Sequence, residues 1–222
     1  MKKSNTYNIV IFDCDSTLTK IEGIDELARM KGRKKEVCEL TTAAMEGKAK
    51  FCQTLGKRLE IVKPCKKDLA RLANLYIKNE VKGARKTIAG LKRMGINVYI
   101  VTGAYLEALL PFAKYLGIPR KNVFAINLKF QKNGNYLSPD WKNPLTKNKG
   151  KQHIIQKLTK QGKTVLIGDG ATDLEAKEIV DLFIGFGGVI KRQIVKENAD
   201  VFIETPNLLP ILKIVQKGRK IC

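Results

Sequence analysis

The chain alternates between short apolar runs and longer segments with helical spacing. Five runs, at residues 8–12, 97–101, 164–167, 182–184 and 201–203, are almost uninterrupted Val, Ile, Leu and Phe. Continuous runs of that kind read as strands buried on both faces of a parallel sheet. Helical patterns occupy 84–94, 106–116, 150–160, 174–180 and 208–215 between and after them. Strand–helix alternation predicts an α/β fold with a doubly wound, Rossmann-like parallel sheet. Ligands of such sheets bind beyond the carboxyl ends of the strands. Asp13, Thr102 and Asp169 each follow an apolar run, so the fold brings all three to one edge.

Residues 18–82 break the alternation. They show no strand pattern and several helical ones, at 23–30, 34–45, 51–61 and 67–77. The expected organisation is therefore a core of residues 1–17 and 83–222, with residues 18–82 inserted as a small helical cap domain. A cap over the strand ends excludes water and completes a pocket. A second irregular piece, 124–138, alternates polar and apolar residues around Asn133-Gly134-Asn135, which is a hairpin signal.

Composition narrows the class. A length of 222 residues suits one good-sized domain or a core with a smaller insertion, and an apolar fraction of 44% is ordinary for a globular protein. No apolar stretch approaches membrane-spanning length, so no membrane partner is expected. The start, Met1-Lys2-Lys3, is basic, but the apolar run after it is short and meets Asp13, so no secretory signal is expected. The five cysteines, Cys14, Cys38, Cys52, Cys65 and Cys222, show no metal-binding spacing and are odd in number; reduced thiols in a cytoplasm are the expectation. The formal net charge of +21 raises a nucleic-acid reading. Against it, the basic residues are spread along the whole chain without an arginine-rich block interleaved with aromatics. A solvated lysine surface that draws in small phosphorylated anions is the better reading.

The chemistry sits at two strand ends. The first run closes in Asp13-Cys14-Asp15-Ser16-Thr17, and the third in Gly168-Asp169-Gly170-Ala171-Thr172-Asp173. Converging carboxylates are costly unless a cation, a shared proton or hydrogen bonds compensate. Aspartyl phosphoryl transfer needs a carboxylate in line, a group for the leaving-group proton, a cation, and a cradle for phosphate oxygens. Asp13 and Asp15 are candidates for nucleophile and acid/base. Asp169 and Asp173 are candidates for the metal. Thr102-Gly103, between a strand and a helix, offers a hydroxyl and N–H groups at a helix N-terminus. Lys149, opening a helix, can offset the negative charge, with Lys151 as its rival two residues on. His153 is expected on the surface of that helix.

These motifs resemble those of the haloacid dehalogenase-like (HAD) phosphatases: Asp13–Thr17, Thr102, Lys149 and Asp169/Asp173 follow that family's order. The runs Glu22-Gly-Ile-Asp-Glu-Leu-Ala28, Gly168–Asp173 and Phe183-Ile-Gly-Phe-Gly-Gly188, with Met45, Phe51 and Arg58, are similar to those of its phosphoserine phosphatase branch. The resemblance spans residues 9–215. It implies a Mg²⁺-dependent phosphomonoesterase that converts O-phospho-L-serine to L-serine and phosphate, the last step of serine biosynthesis. Asp13 would carry the phosphoryl group, and Asp15 would protonate the serine oxygen and then activate water. Mg²⁺ would lie on the Asp13 and Asp169 carboxylates and the Asp15 carbonyl, with Asp173 beside it. Glu22 would meet the substrate ammonium and Arg58 its carboxylate, with Met45 and Phe51 closing over it. Thr102, Gly103, Lys149 and Thr172 would also contact substrate, and the protein would be a monomer or homodimer.

Taken one at a time, each cap residue also has an ordinary reading: Glu22 as a first-turn acid, Arg58 as a surface cation, Met45 and Phe51 as packing. Two positions depart from the family pattern. Thr102-Gly103-Ala104 replaces Ser-Gly-Gly, so that Ala104 would be restricted if its φ had to be positive. The segment Val81-Lys82-Gly83-Ala84 lacks the usual proline. Alternatives to the phosphoserine reading are another HAD phosphatase or phosphotransferase acting on a small phosphorylated metabolite and, remotely, a non-catalytic basic protein that binds nucleic acid.

Overall fold

The computed structural model of the chain describes residues 7–217. Met1, Lys2, Lys3 and Cys222 lie outside the described residues; the other four cysteines are free thiols. Six strands form one parallel sheet: β1 (Ile9–Phe12), β2 (Asn97–Tyr105), β3 (Val123–Ile126), β6 (Thr164–Gly168), β7 (Leu182–Phe186) and β8 (Val201–Ile203). Between β3 and β6, β4 (Leu128–Phe130) and β5 (Tyr136–Pro139) make a separate antiparallel hairpin. The sheet order is β3-β2-β1-β6-β7-β8. From β1 the chain winds outward through β2 and β3, then returns to the other side of β1 for β6 and winds outward again. The reversal lies between β1 and β6, and a crevice opens at such a switch point beyond the strand ends.

Register makes that crevice acidic. Phe12 pairs with Ile167, and the Asp13 N–H donates to the Ile167 carbonyl at 2.9 Å. Asp13 and the Gly168–Asp173 turn therefore leave the sheet side by side. All four residues of β1 are fully buried, as are Val165, Leu166 and Ile167 of β6, so both strand ends stand on rigid core.

Four helices follow β1: α1 (Gly23–Met30), α2 (Lys34–Met45), α3 (Phe51–Val62) and α4 (Lys66–Lys78). The buried positions of α4, Leu69, Leu72, Ala73 and Tyr76, fall at helical spacing on one face. The chain enters and leaves this group through a narrow neck. Lys20 N–H bonds the Asn79 carbonyl at 2.8 Å and Val81 N–H bonds the Leu18 carbonyl at 2.9 Å, with an antiparallel bridge between Thr19 and Glu80.

The remaining helices are α5 (Ala84–Arg93), α6 (Leu106–Leu116), α7 (Gly150–Thr159), α8 (Ala171–Leu174), α9 (Gln193–Asn198) and α10 (Pro210–Lys217). Two expectations are corrected and one element is added. Residues 123–126 form an edge strand of the main sheet, and only the following hairpin fits the Asn133-Gly134-Asn135 signal. The helix expected at 174–180 is replaced by the four-residue α8, which starts early at residue 171 under the Gly170/Asp173 N-terminal cap, and a 3₁₀ turn at Lys177–Ile179. Helix α9, too short to show a period, was not expected.

Candidate active site

Five acidic side chains gather at the switch point. Asp13 follows β1 directly; its Oδ1 accepts the Cys14 N–H at 2.7 Å. The chain then turns sharply, with the Thr17, Leu18 and Thr19 N–H groups all donating to the Cys14 carbonyl and Ser16 held at a φ of 54°. That turn brings Asp15 and Glu22 back toward Asp13. Asp169 and Asp173 come from the turn after β6. Asp13, Asp169 and Asp173 each offer a carboxylate oxygen within 4.8 Å of the others, all three buried.

Two cations oppose these acids. Lys151 Nζ lies 2.8 Å from Asp13 Oδ2 and 2.8 Å from Asp173 Oδ1, with only 7% of its surface exposed. Arg192 pairs with Asp169 and lies 3.4 Å from Glu22 Oε1. Neutral donors complete the set: Thr17 Oγ1–H to Asp169 Oδ1 at 2.8 Å, Ser16 Oγ–H to Glu22 Oε1 at 2.7 Å, and Gly23 N–H to Asp15 Oδ2 at 2.8 Å.

Lys149 makes no ion pair with these acids among the described residues. It precedes α7 at a left-handed φ of 57° and is exposed, and its backbone N–H bonds Glu175 at 2.9 Å. Lys151, inside the first turn of α7, points inward to Asp13 and Asp173, while Lys149, in the left-handed residue before the helix, is exposed. The Thr102-Gly103 cradle is also not a helix N-terminus. Residues Val101 and Tyr105 of β2 pair with Phe124 and Ile126 of β3, so Thr102, Gly103 and Ala104 bulge out opposite one residue. Thr102 Oγ1 accepts the Ala104 N–H at 3.1 Å. Neither Gly103 nor Ala104 has a positive φ, which is why alanine is tolerated at 104. Gly103 is needed for another reason: a Cβ there would lie 2.9 Å from the Phe51 ring.

The helices after β1 roof the acids. One cavity is lined by Asp13, Asp15, Glu22, Met45, Phe51 and Arg58, and by Thr102, Gly103, Lys151 and Thr172. Its void is about 40 Å³, room for a few waters. Arg58 is 3% exposed; it bonds the Thr54 carbonyl and Thr41 Oγ1 and stacks over Phe51 at 5.5 Å. Among the described residues it makes no ion pair with a carboxylate. Of the site residues read from sequence, all but Lys149 and the deeper Asp169 and Asp173 line this cavity.

A model of the haloacid dehalogenase-like hydrolases matches residues 7–178. The chain belongs to that family. Among curated proteins, this hydrolase is 39% identical to phosphoserine phosphatase of Bos taurus over 87% of its own length and 88% of the relative's. It is 36% identical to that of Methanocaldococcus jannaschii over 94% and 97%. A solved phosphoserine phosphatase with substrate bound superposes with a TM-score of 0.83 at 32% identity, covering 96% of this chain and 99% of the other. A phosphoserine phosphatase holding an analogue of a phospho-aspartyl intermediate gives 0.83 at 32% identity over 94% and 99%.

Three contributors to this hydrolase's site had no role in the sequence reading. Thr17, though inside the first motif, fastens Asp169 across the switch point. Ser16 fastens Glu22. Arg192 is one of many basic residues in the sequence, and only the position of β7 and the loop after it brings it to Asp169.

Asp15, Asp169 and Asp173 are held above the usual carboxylate range. Burial, reinforced by the Glu22 charge, raises Asp15 well above an ordinary carboxyl, with the Gly23 N–H pulling it back. Burial raises Asp169 likewise, against the opposing pull of Arg192. Asp173 is pushed up to about 6 by burial, with Lys151 pulling it back. For an acid whose pKa is higher folded than unfolded, the stabilisation is full below the unfolded value and is lost as pH rises through the folded one. Metal-free protein should therefore melt on the order of 2–5 °C higher at pH 5 than at pH 7. Saturating Mg²⁺ should raise the pH 7 value and flatten the dependence. Thermal melts with chelator and with Mg²⁺ check this; a midpoint that falls from pH 7 to pH 5 in chelator contradicts it.

Proposed function

We propose that the protein is a Mg²⁺-dependent phosphatase that hydrolyses O-phospho-L-serine through an aspartyl-phosphate intermediate, with residues 18–82 as its cap domain. The observation that carries the reading is one cavity that joins the acid–lysine cluster to a buried arginine with no acidic partner among the described residues. A phosphorylated amino acid supplies what both parts lack, a phosphoryl group for the cluster and a carboxylate for Arg58. The relatives' names and their coverage of the whole chain support the same substrate.

The donor set fits a small hard cation. Every candidate ligand is oxygen, three of them carboxylate oxygens close together, and five acids face two cations. Asp13, Asp169 and the Asp15 carbonyl would hold Mg²⁺, with Asp173 beside it. Bound there, Mg²⁺ supplies charge neutralisation for the phosphate oxygens. The chain's own residues do the rest. Asp13 attacks phosphorus while Lys151 keeps its carboxylate oriented. The bond to the serine oxygen breaks as Asp15 delivers a proton to that oxygen, and Asp15 then takes a proton from the water that cleaves the acyl phosphate. Thr102 and the N–H groups of the bulge receive phosphate oxygens. Phe51 and Met45 keep water out, and Glu22 takes the ammonium in exchange for Arg192.

Asp13→Asn should abolish phosphate release from O-phosphoserine while leaving the melting curve cooperative, because an amide cannot form the acyl phosphate. Chelation of wild-type protein should do the same reversibly. Substantial turnover by folded Asp13→Asn protein sinks the mechanism.

Lys151→Ala should lower kcat by about 10²–10³ and lower the melting temperature, since Asp13 and Asp173 lose their shared partner. Lys149→Ala should stay within about twofold of wild type, as expected of an exposed side chain. A reversed pattern in steady-state assays returns the role to Lys149.

Arg58→Ala should penalise O-phosphoserine far more than O-phosphoethanolamine, which keeps the ammonium and the alkyl leaving group but has no carboxylate. The difference in kcat/KM should correspond to about 2–5 kcal/mol, the cost of losing a buried charge-assisted bond. Equal losses mean that Arg58 supports the cap rather than reads the substrate.

A further inference from the structure

Tyr76 ends the inward stripe of α4, and none of it reaches solvent. Its ring lies against Phe112 of α6 with centroids 5.8 Å apart, packing that a phenylalanine would provide equally well. The hydroxyl is the exception. Tyr76 Oη and Asp15 Oδ1 are both buried without a hydrogen-bond partner. An unpaired buried hydroxyl costs about 1–3 kcal/mol, so core packing alone does not account for tyrosine here.

The hydroxyl lies beside the Asp15 carboxyl, near enough to favour its ionised form, though not aligned into a formed bond. Gly23 creates the opening. A Cβ there would lie 2.1 Å from Tyr76 Oη and 3.3 Å from Asp15 Oδ2. Any side chain at 23 would separate the phenol from the carboxyl, whose Oδ2 already takes the Gly23 N–H at 2.8 Å.

We infer that Tyr76 is a positioning residue for Asp15: its O–H and the Gly23 N–H hold the carboxyl in the orientation from which it meets the ester oxygen of the substrate. The inference rests on the acid/base role proposed for Asp15. As the Asp13–phosphorus bond forms and the phosphorus–ester bond breaks, the proton leaves Asp15 for the departing oxygen. Negative charge then appears on Asp15, and Tyr76, which keeps its own proton, donates to it. A hydrogen bond that strengthens as charge develops lowers the barrier rather than the ground state. Both donors are neutral, so neither expels the proton before it is needed, as a lysine or arginine would.

The test exploits the leaving group. The alkoxide of O-phosphoserine must be protonated as it departs; 4-nitrophenolate need not be. Comparing kcat/KM confines the measurement to steps up to leaving-group departure and removes the shared hydrolysis of the intermediate. Tyr76→Phe should lose about tenfold in kcat/KM on O-phosphoserine and less than about twofold on 4-nitrophenyl phosphate, with an unchanged or higher melting temperature. Asp15→Asn, measured in parallel, should show the same selectivity more strongly. If Asp15→Asn is selective and Tyr76→Phe is not, whether through equal losses or none, Tyr76 is core packing and the inference falls. If Asp15→Asn loses both substrates equally, the acid role of Asp15 falls and the inference with it.

Discussion

The structure depends on an electrostatic debt at the junction of β1 and β6. Two parallel neighbours in register end together, and each ends in acids, so five carboxylates converge where the sheet gives them no water. Lys151, bridging Asp13 and Asp173 at 2.8 Å each, and Arg192, on Asp169 and Glu22, offset part of it. Burying a carboxylate is expensive unless it is paired and hydrogen-bonded. Burial here is strong enough to lift Asp15, Asp169 and Asp173 above the ordinary range even with those partners present. The site is therefore unsatisfied by its own side chains, and the surplus is what the proposed divalent cation and phosphoryl group would use.

Much of the surrounding structure follows from keeping that cluster dry and aligned. The wholly buried β1 and β6 fix the origin of each acid, and Thr17 ties the two strand ends together through Asp169 at 2.8 Å. The three-residue bulge in β2 aims Thr102 and Gly103 at the same edge. On the other side, Phe51 can approach only because residue 103 has no side chain. Arg58 is then buried beneath the roof with hydroxyl, carbonyl and ring contacts but no anion among the described residues. Its desolvation is the cap's counterpart to the carboxylate surplus of the core.

The sequence exposed those parts of the fold whose physics is local. Strands buried on both faces give unbroken apolar runs, and so β1, β6, β7 and β8 and the ends of their neighbours could be read directly. The edge strand β3 could not, because Val-Phe-Ala-Ile runs without a break into the hairpin that follows. At 174–180 the expected helix begins earlier instead, because Asp173 bonds the Gly170 N–H and so sets the start of a helix at residue 171. Lys149 and Lys151 have equal composition and nearly equal position. Only the left-handed turn at 149, which sets where the helix begins, decides which one points inward. Arg192 lies 23 residues from Asp169 in the chain, and its pairing is a property of the tertiary fold alone.

The acids differ in what holds them, and that difference separates their roles. Asp13 and Asp173 lie against Lys151 and Asp169 against Arg192, and at Asp169 and Asp173 the cation pulls against the effect of burial. Asp15 has only the Gly23 N–H, with the Tyr76 hydroxyl beside it, and the Glu22 charge nearby opposes ionisation. Neutral donors orient a carboxyl without stripping its proton, whereas a cation would do both. Two carboxyls separated by one residue can thus carry opposite duties, because the chain turn at Cys14 faces one toward Lys151 and the other toward the underside of α1 and α4. In the proposed mechanism the second aspartate's chemistry is therefore set by helices α1 and α4 as much as by the sheet, because the Gly23 N–H and the Tyr76 hydroxyl beside it both come from them.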